Sequence, residues 1–192
     1  MDIPAQQAIN ETRAWIDRAV VGLNLCPFAR AVQVKQQIRC VVSDATDAHA
    51  LLARLCDEMH LLAEADPARV QTTLLVHPAV LTDFLDFNDF LEIADAALED
   101  LGYEGVLQVA PFHPQFQFAG TEPDDLGNAS NRSPYPTLHL LREDSVERAL
   151  AAFPDAEAIF ETNIRTLQAL GADGWAALQA QCKQDALRLL AG

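Results

Sequence analysis

The sequence predicts an α/β fold: a mixed, mostly parallel four-stranded sheet with helices on both faces and the last strand antiparallel. Three observations carry this. Helix-like and strand-like segments alternate along the first three quarters of the chain, the order that gives layered α/β domains. The first three strand-like runs are separated by amphipathic stretches long enough for crossover helices, which makes those strands parallel. No such stretch precedes the fourth run, so it returns antiparallel to the third.

The elements follow in order. Residues 5–24 place Ala8, Ile9, Thr12, Trp15, Ile16, Ala19, Val20 and Leu23 on one helical stripe, with Glu11, Arg13, Asp17 and Arg18 on the other face. Pro27 ends that helix. Residues 31–43 are rich in β-branched side chains and read as a strand. Asp44 or Thr46 then caps a helix over 47–65 with Leu51, Leu52, Leu55, Met59 and Leu62 inward. The apolar run 72–77 is a buried strand ended by Pro78. Thr82 or Asp83 caps a helix running to Leu101, and Gly102 stops it. Strands over 105–110 and 137–142 flank a long loop, and helices over 144–152, 155–170 and 173–190 complete the chain, broken at Pro154, Gly171 and Gly174. Helices at both ends cover the second face of the sheet, and residues 1–192 form a single domain.

Charge narrows the partners. Twenty-eight acids against 13 bases give a net charge of −15. Phosphate backbones and anionic membranes select clustered Lys and Arg, so nucleic acid and membrane surfaces are excluded as partners. No basic-then-apolar leader and no membrane-length apolar run is visible. Cys26, Cys40, Cys56 and Cys182 lack metal-finger spacing and read as reduced thiols in a cytoplasmic protein.

The stretch from Glu104 to Glu143 concentrates the chemistry. It holds Pro111, Pro114, Pro123, Pro134 and Pro136, three phenylalanines, two histidines and the triplet Asn131-Arg132-Ser133. Loops this long in compact domains are usually functional or disordered, and the aromatic content argues against disorder. Ligands of open α/β sheets gather beyond the carboxyl ends of the parallel strands. His77 and His113 end two such strands, each followed by proline, and an antiparallel fourth strand begins at that edge with His139 inside it. The three histidines therefore converge at one edge, as acid-base groups or as neutral imidazole ligands. The alternative is a core His139 and a His77 that only ends its strand. Spacing alone does not make a metal site, and none is assigned.

Asn131 and Ser133 offer short-range hydrogen bonds, and Arg132 a fork suited to carboxylate or phosphate. The alternative is a local turn, with Arg132 paired to Glu122, Asp124 or Asp125. Cys26 follows a helix carboxyl end, where the dipole opposes a thiolate, so it reads as a buried thiol beside Phe28. Phe112, Phe116 and Phe118 form either a lid over the strand edge or a plug for the end of the core.

Four runs, GLNLCPFA (22–29), VHPAVLTDFLDFNDFL (76–91), QVAPFHPQFQFAG (108–120) and NASNRSPYPTLHLLRE (128–143), resemble the bacterial domain-of-unknown-function 1415 family. The resemblance spans nearly the whole chain and implies a complete, standalone single-domain protein of this size. It transfers no activity, cofactor or catalytic residue.

The functional expectation therefore rests on the residues. It is a small-molecule enzyme of the hydrolase or transferase class, or a ligand-binding protein, with its pocket under the 111–136 loop. His113 acts there as acid-base group with His77, while Asn131, Arg132, Ser133 and His139 hold a polar or anionic molecule. No cofactor is assigned. Phosphate-loop, nucleophile-elbow and His-Glu-x-x-His motifs are absent. The alternative is a non-catalytic interaction protein with an acidic surface.

Overall fold

The computed structural model describes residues 4–151 and 156–191. Four strands, β1 (Ile38–Val42), β2 (Thr72–Val76), β3 (Leu107–Phe112) and β4 (Thr137–Arg142), form one sheet in the order β1-β2-β4-β3. Only β1 and β2 pair in parallel; β4 is antiparallel to both β2 and β3. The expectation of a mostly parallel sheet is thus corrected. β1, β2 and β3 do point the same way, but the crossover from β2 to β3 skips one position. β4 returns through the long loop into that gap, as in a split βαβ unit.

Two helices cover one face. In α3 (Ala48–Glu64), Leu51, Leu55, Met59 and Leu62 recur at helical spacing and are fully buried. Its cap is Asp47, which accepts from the Ala50 amide at 2.8 Å, rather than Asp44 or Thr46. In α4 (Phe84–Asp100), Phe87, Phe90, Ala94 and Leu98 turn inward. Asp83 caps it through the Leu85 amide, and Gly102 stops it at φ 74°, a backbone angle that suits glycine. These side chains meet Leu75, Leu107, Leu138 and Leu140 in the larger core. Arg142, at the far end of β4, donates to the Leu62 and Ala65 carbonyls at the carboxyl end of α3.

The chain ends cover the other face. α1 (Ala5–Trp15) runs directly into a π-helical turn over Ile16–Val21, so the expected helix 5–24 changes pitch just after Trp15. Residues expected as the start of a strand instead form a short helix, α2 (Ala29–Val34), and β1 begins only at Ile38. α5 (Glu143–Ala151) follows β4 directly, and α6 (Ala156–Ala191) is interrupted at Gly171, where the backbone leaves helical angles. The expected break at Pro154 lies outside the described residues. α1 and α6 pack together over Leu74 and Phe112, with Trp15, Ala19, Leu167 and Trp175 at the contact. Among the described residues no helix is long and apolar enough to cross a membrane.

Candidate functional site

Strand alternation separates the histidines. Side chains along a strand point to opposite faces in turn, and the register pairs Leu74 with His139 and Phe112 with Thr137. His139 therefore stands on the α1/α6 face, 5.8 Å from the Phe112 ring. His77 and His113 follow their strands on the α3/α4 face, against Phe87 at 5.7 and 5.1 Å. The expected meeting of three histidines is corrected: the sheet itself lies between the pair and His139.

The pair is sealed. His77 and His113 are both fully buried. The His113 Nδ1 accepts from the Gln115 amide at 3.0 Å, so its proton sits on Nε2, which donates to the Leu81 carbonyl at 3.3 Å. Leu81 holds a positive φ of 52°, a strained angle for a branched side chain, and presents that carbonyl to His113. His77 Nδ1 donates to the Val80 carbonyl at 3.0 Å, and its Nε2 is buried without a partner. Burial pushes the His77 pKa down to about 4 and lowers that of His113. Both rings are neutral groups bonded to backbone. On the other face, the Thr72 hydroxyl gives its proton to the Leu140 carbonyl and accepts from His139 Nε2 at 2.6 Å. Desolvation holds the His139 pKa at about 4 as well. Among the described residues no group of three His, Cys, Asp or Glu side chains is placed to hold a metal.

The long loop is built by its amides. Asn128 is fully buried, accepting from the Phe118 amide and the Thr121 hydroxyl and donating to the Glu122 carbonyl. Its neighbour Gly127 lies so close to Ile164 of α6 that an added Cβ would stand 3.3 Å from it. Phe116 packs on Phe84, and Phe118 on Phe160, so the phenylalanines plug the space between the loop and both helical layers. Asn131 donates to the Pro111 carbonyl and Ser133 to the Tyr135 carbonyl, the local-turn arrangement. Arg132 forms no ion pair with Glu122, Asp124 or Asp125. Its Nε donates to the Phe116 carbonyl at 3.1 Å and its Nη2 to the Pro123 carbonyl at 2.6 Å. These bonds use two of the five guanidinium N–H donors.

Where this loop meets α1 and α6 there is a cleft of about 210 Å³. Arg132, Ser133 and Pro114 line its loop side, Glu11 and Trp15 its α1 side, and Trp175, Cys182 and Lys183 its α6 side. Of the residues expected at a site, the structure brings Arg132 and Ser133 here; His77, His113, His139 and Asn131 do not line it. Glu11, expected on the solvent face, is only 6 % exposed. It accepts from the Tyr135 hydroxyl at 2.8 Å and from Gln7 Nε2 at 2.9 Å. Burial, and then the bond to Glu11 and its charge, raise the Tyr135 pKa, which keeps that hydroxyl a donor. The Trp15 Nε1–H is buried and has no acceptor among the described residues. Burial pushes the Cys182 thiol up to about 11 and raises that of Cys26, so neither is a thiolate at neutral pH. All four cysteines are free.

Fold and cleft together define an α/β protein with a small, mixed-charge cleft under a structured loop. The chain belongs to the family described as "Protein of unknown function (DUF1415)", whose model matches residues 7–177. The comparisons with curated proteins and with solved structures gave no match.

Proposed function

We propose that this protein binds a small polar, anionic molecule in the cleft between the long loop, α1 and α6. The observation that carries the reading is Arg132. The residue lines the cleft, and its guanidinium bonds only to the Phe116 and Pro123 carbonyls, with no carboxylate partner, although the chain carries an excess of acids. Burial lowers its pKa, the sign of a cation set into a partly dry site without a carboxylate to offset the loss of water. Lys183 stands at the rim of the same cleft and adds a second positive charge. Such a pair reverses the acidic field locally and attracts an anion.

The volume sets the scale of the ligand. Drug-sized ligands occupy roughly 300–1,000 Å³, so a cleft of about 210 Å³ suits a smaller metabolite. Binding is better supported than catalysis. Ser133 gives its proton to a carbonyl, Cys182 is held as a thiol, and the buried histidine pair lies across the sheet. Acid-base chemistry by His113 and His77 is therefore left out of the proposal. Four unpaired thiols fit a reducing compartment, and we place the protein in the cytoplasm on that ground.

The test is ligand-induced stabilisation, since a molecule that binds only the folded state raises its unfolding temperature. A screen of small carboxylates and phosphates is expected to yield stabilising anions whose effect is reduced in Lys183→Ala. A screen in which no anion stabilises the protein, or in which Lys183→Ala responds like the parent, would count against the proposal.

A further inference from the structure

The cleft carries both signs of charge without letting them cancel. Glu11 and Arg132 line the same space, as does Lys183, yet no ion pair joins Glu11 to either cation. Glu11 is held instead by two neutral donors, Tyr135 and Gln7, which fix its carboxylate. A buried carboxylate is costly to desolvate, and a purely anionic ligand gains nothing from having it nearby. A ligand with a cationic group gains directly.

The remaining walls add two requirements. Trp15 and Trp175 are 4 % and 7 % exposed and offer aromatic surface for a small apolar group or the face of an ammonium. The Trp15 Nε1–H is buried without an acceptor among the described residues, so this cleft-lining residue carries an unsatisfied polar group. The helix changes to π pitch directly after Trp15, a feature frequent at functional sites, and Trp15 is the last residue before the change.

Building on the anion-binding reading above, we infer that the ligand is amphoteric: a small molecule bearing an ammonium and a carboxylate, of the size and class of a free α-amino acid. Its carboxylate lies toward Arg132 and Lys183, its ammonium toward Glu11, and its side chain against the tryptophans. The alignment is specific because reversing the ligand places like charges together.

The experiment uses the full-length protein and its tryptophan fluorescence, since the chain's two tryptophans both line the cleft. The probes are the proteinogenic L-amino acids; propionate and isovalerate, which lack the amine of alanine and valine; and ethylamine and isobutylamine, which lack the carboxylate. Acetate, succinate and inorganic phosphate form a separate anion arm. At least one amino acid is expected to bind, with affinity roughly tenfold or more above that of its matched carboxylate, as for loss of one charged hydrogen-bonding group. Glu11→Gln, which keeps an acceptor for Tyr135, is expected to abolish that preference, whereas Lys183→Ala weakens amino acid and carboxylate alike. Matched carboxylates binding as tightly as amino acids, or a preference that survives in Glu11→Gln, would overturn the amphoteric ligand. Anions that bind through Lys183 while no amino acid does would overturn it too, and would leave the anion-binding reading standing. Silence in both arms removes both. The parent-protein comparison of matched probes decides the matter even if Glu11→Gln fails to fold.

Discussion

On the α3/α4 face of the sheet, His77 and His113 lie fully buried against Phe87, and their bonds run to backbone. On the α1/α6 face, Glu11, Arg132 and Lys183 border a cleft without pairing to one another. The first arrangement spends its polar groups on holding the β2–α4 turn and the start of the long loop in place. The second bonds Glu11 and Arg132 to neutral groups only and leaves Lys183 exposed, the arrangement on which the binding proposal rests. A histidine beside a strand end thus marks a structural corner here, while the more informative residue is a carboxylate on what looked like a solvated helix face.

The largest expected separation of the two faces comes from Phe87→Ala. Phe87 is fully buried and packs against both histidine rings, so its loss is predicted to reduce stability in urea by about 3–5 kcal/mol. Ligand affinity of the folded protein should stay unchanged, and a large loss of affinity would couple the faces. Acid comes next. The His77 pKa is about 4 in the folded state against an ordinary 6.5, so the unfolded chain takes up the proton first as pH falls. Stability from this group is complete above pH 6.5, declines as pH falls toward 4 and then levels off, for a total on the order of 3 kcal/mol. His77→Asn, whose amide can still donate to the Val80 carbonyl, is predicted to reduce the slope of that part of the pH–stability curve, with His139 and His113 contributing the remainder; an unchanged curve contradicts the assignment.

The fold was legible where pattern and punctuation agreed. The stripes of α3 and α4, the caps near Asp83 and Gly102, and the bounds of β4 follow from local rules. Strand order was not, because nothing local says that the β2–β3 crossover leaves a gap for β4. The residues 31–34 read as strand through β-branched content, yet they form the short helix α2. Of the residues that line the candidate cleft, Arg132 and Ser133 were singled out through the loop. Glu11 was hidden because one helical stripe was assigned to the core, whereas α1 also buries Asn10 and Glu11 beside that stripe. The available signal was the i, i+4 series Gln7, Glu11, Trp15, in which polar and aromatic groups share one face. The approach of α6 depends on contacts between the chain ends, which single-sequence periodicity does not report.

Two smaller effects sharpen the comparison on the cleft side. Arg132→Ala removes both bonds to the Phe116 and Pro123 carbonyls, and a stability loss of about 2 kcal/mol is expected. Limited proteolysis should then cut within residues 114–131 sooner than in the parent protein; equal cutting rates would mean that Arg132 does not hold the loop. Lys183→Ala is expected to change stability by less than about 0.5 kcal/mol, because the side chain is exposed. Its effect should appear only in ligand affinity, measured by fluorescence titration.

The central claim is that ligands meet the α1/α6 face and not the histidine pair. The most direct test is a titration followed by NMR, with the tightest-binding amino acid or carboxylate as probe. The indole N–H signals of Trp15 and Trp175 report the cleft, and the ring signals of His77 and His113 report the opposite face. Both indole signals are expected to shift along one binding curve while the two histidine rings stay fixed. Histidine rings that shift with indole signals unmoved would contradict the claim.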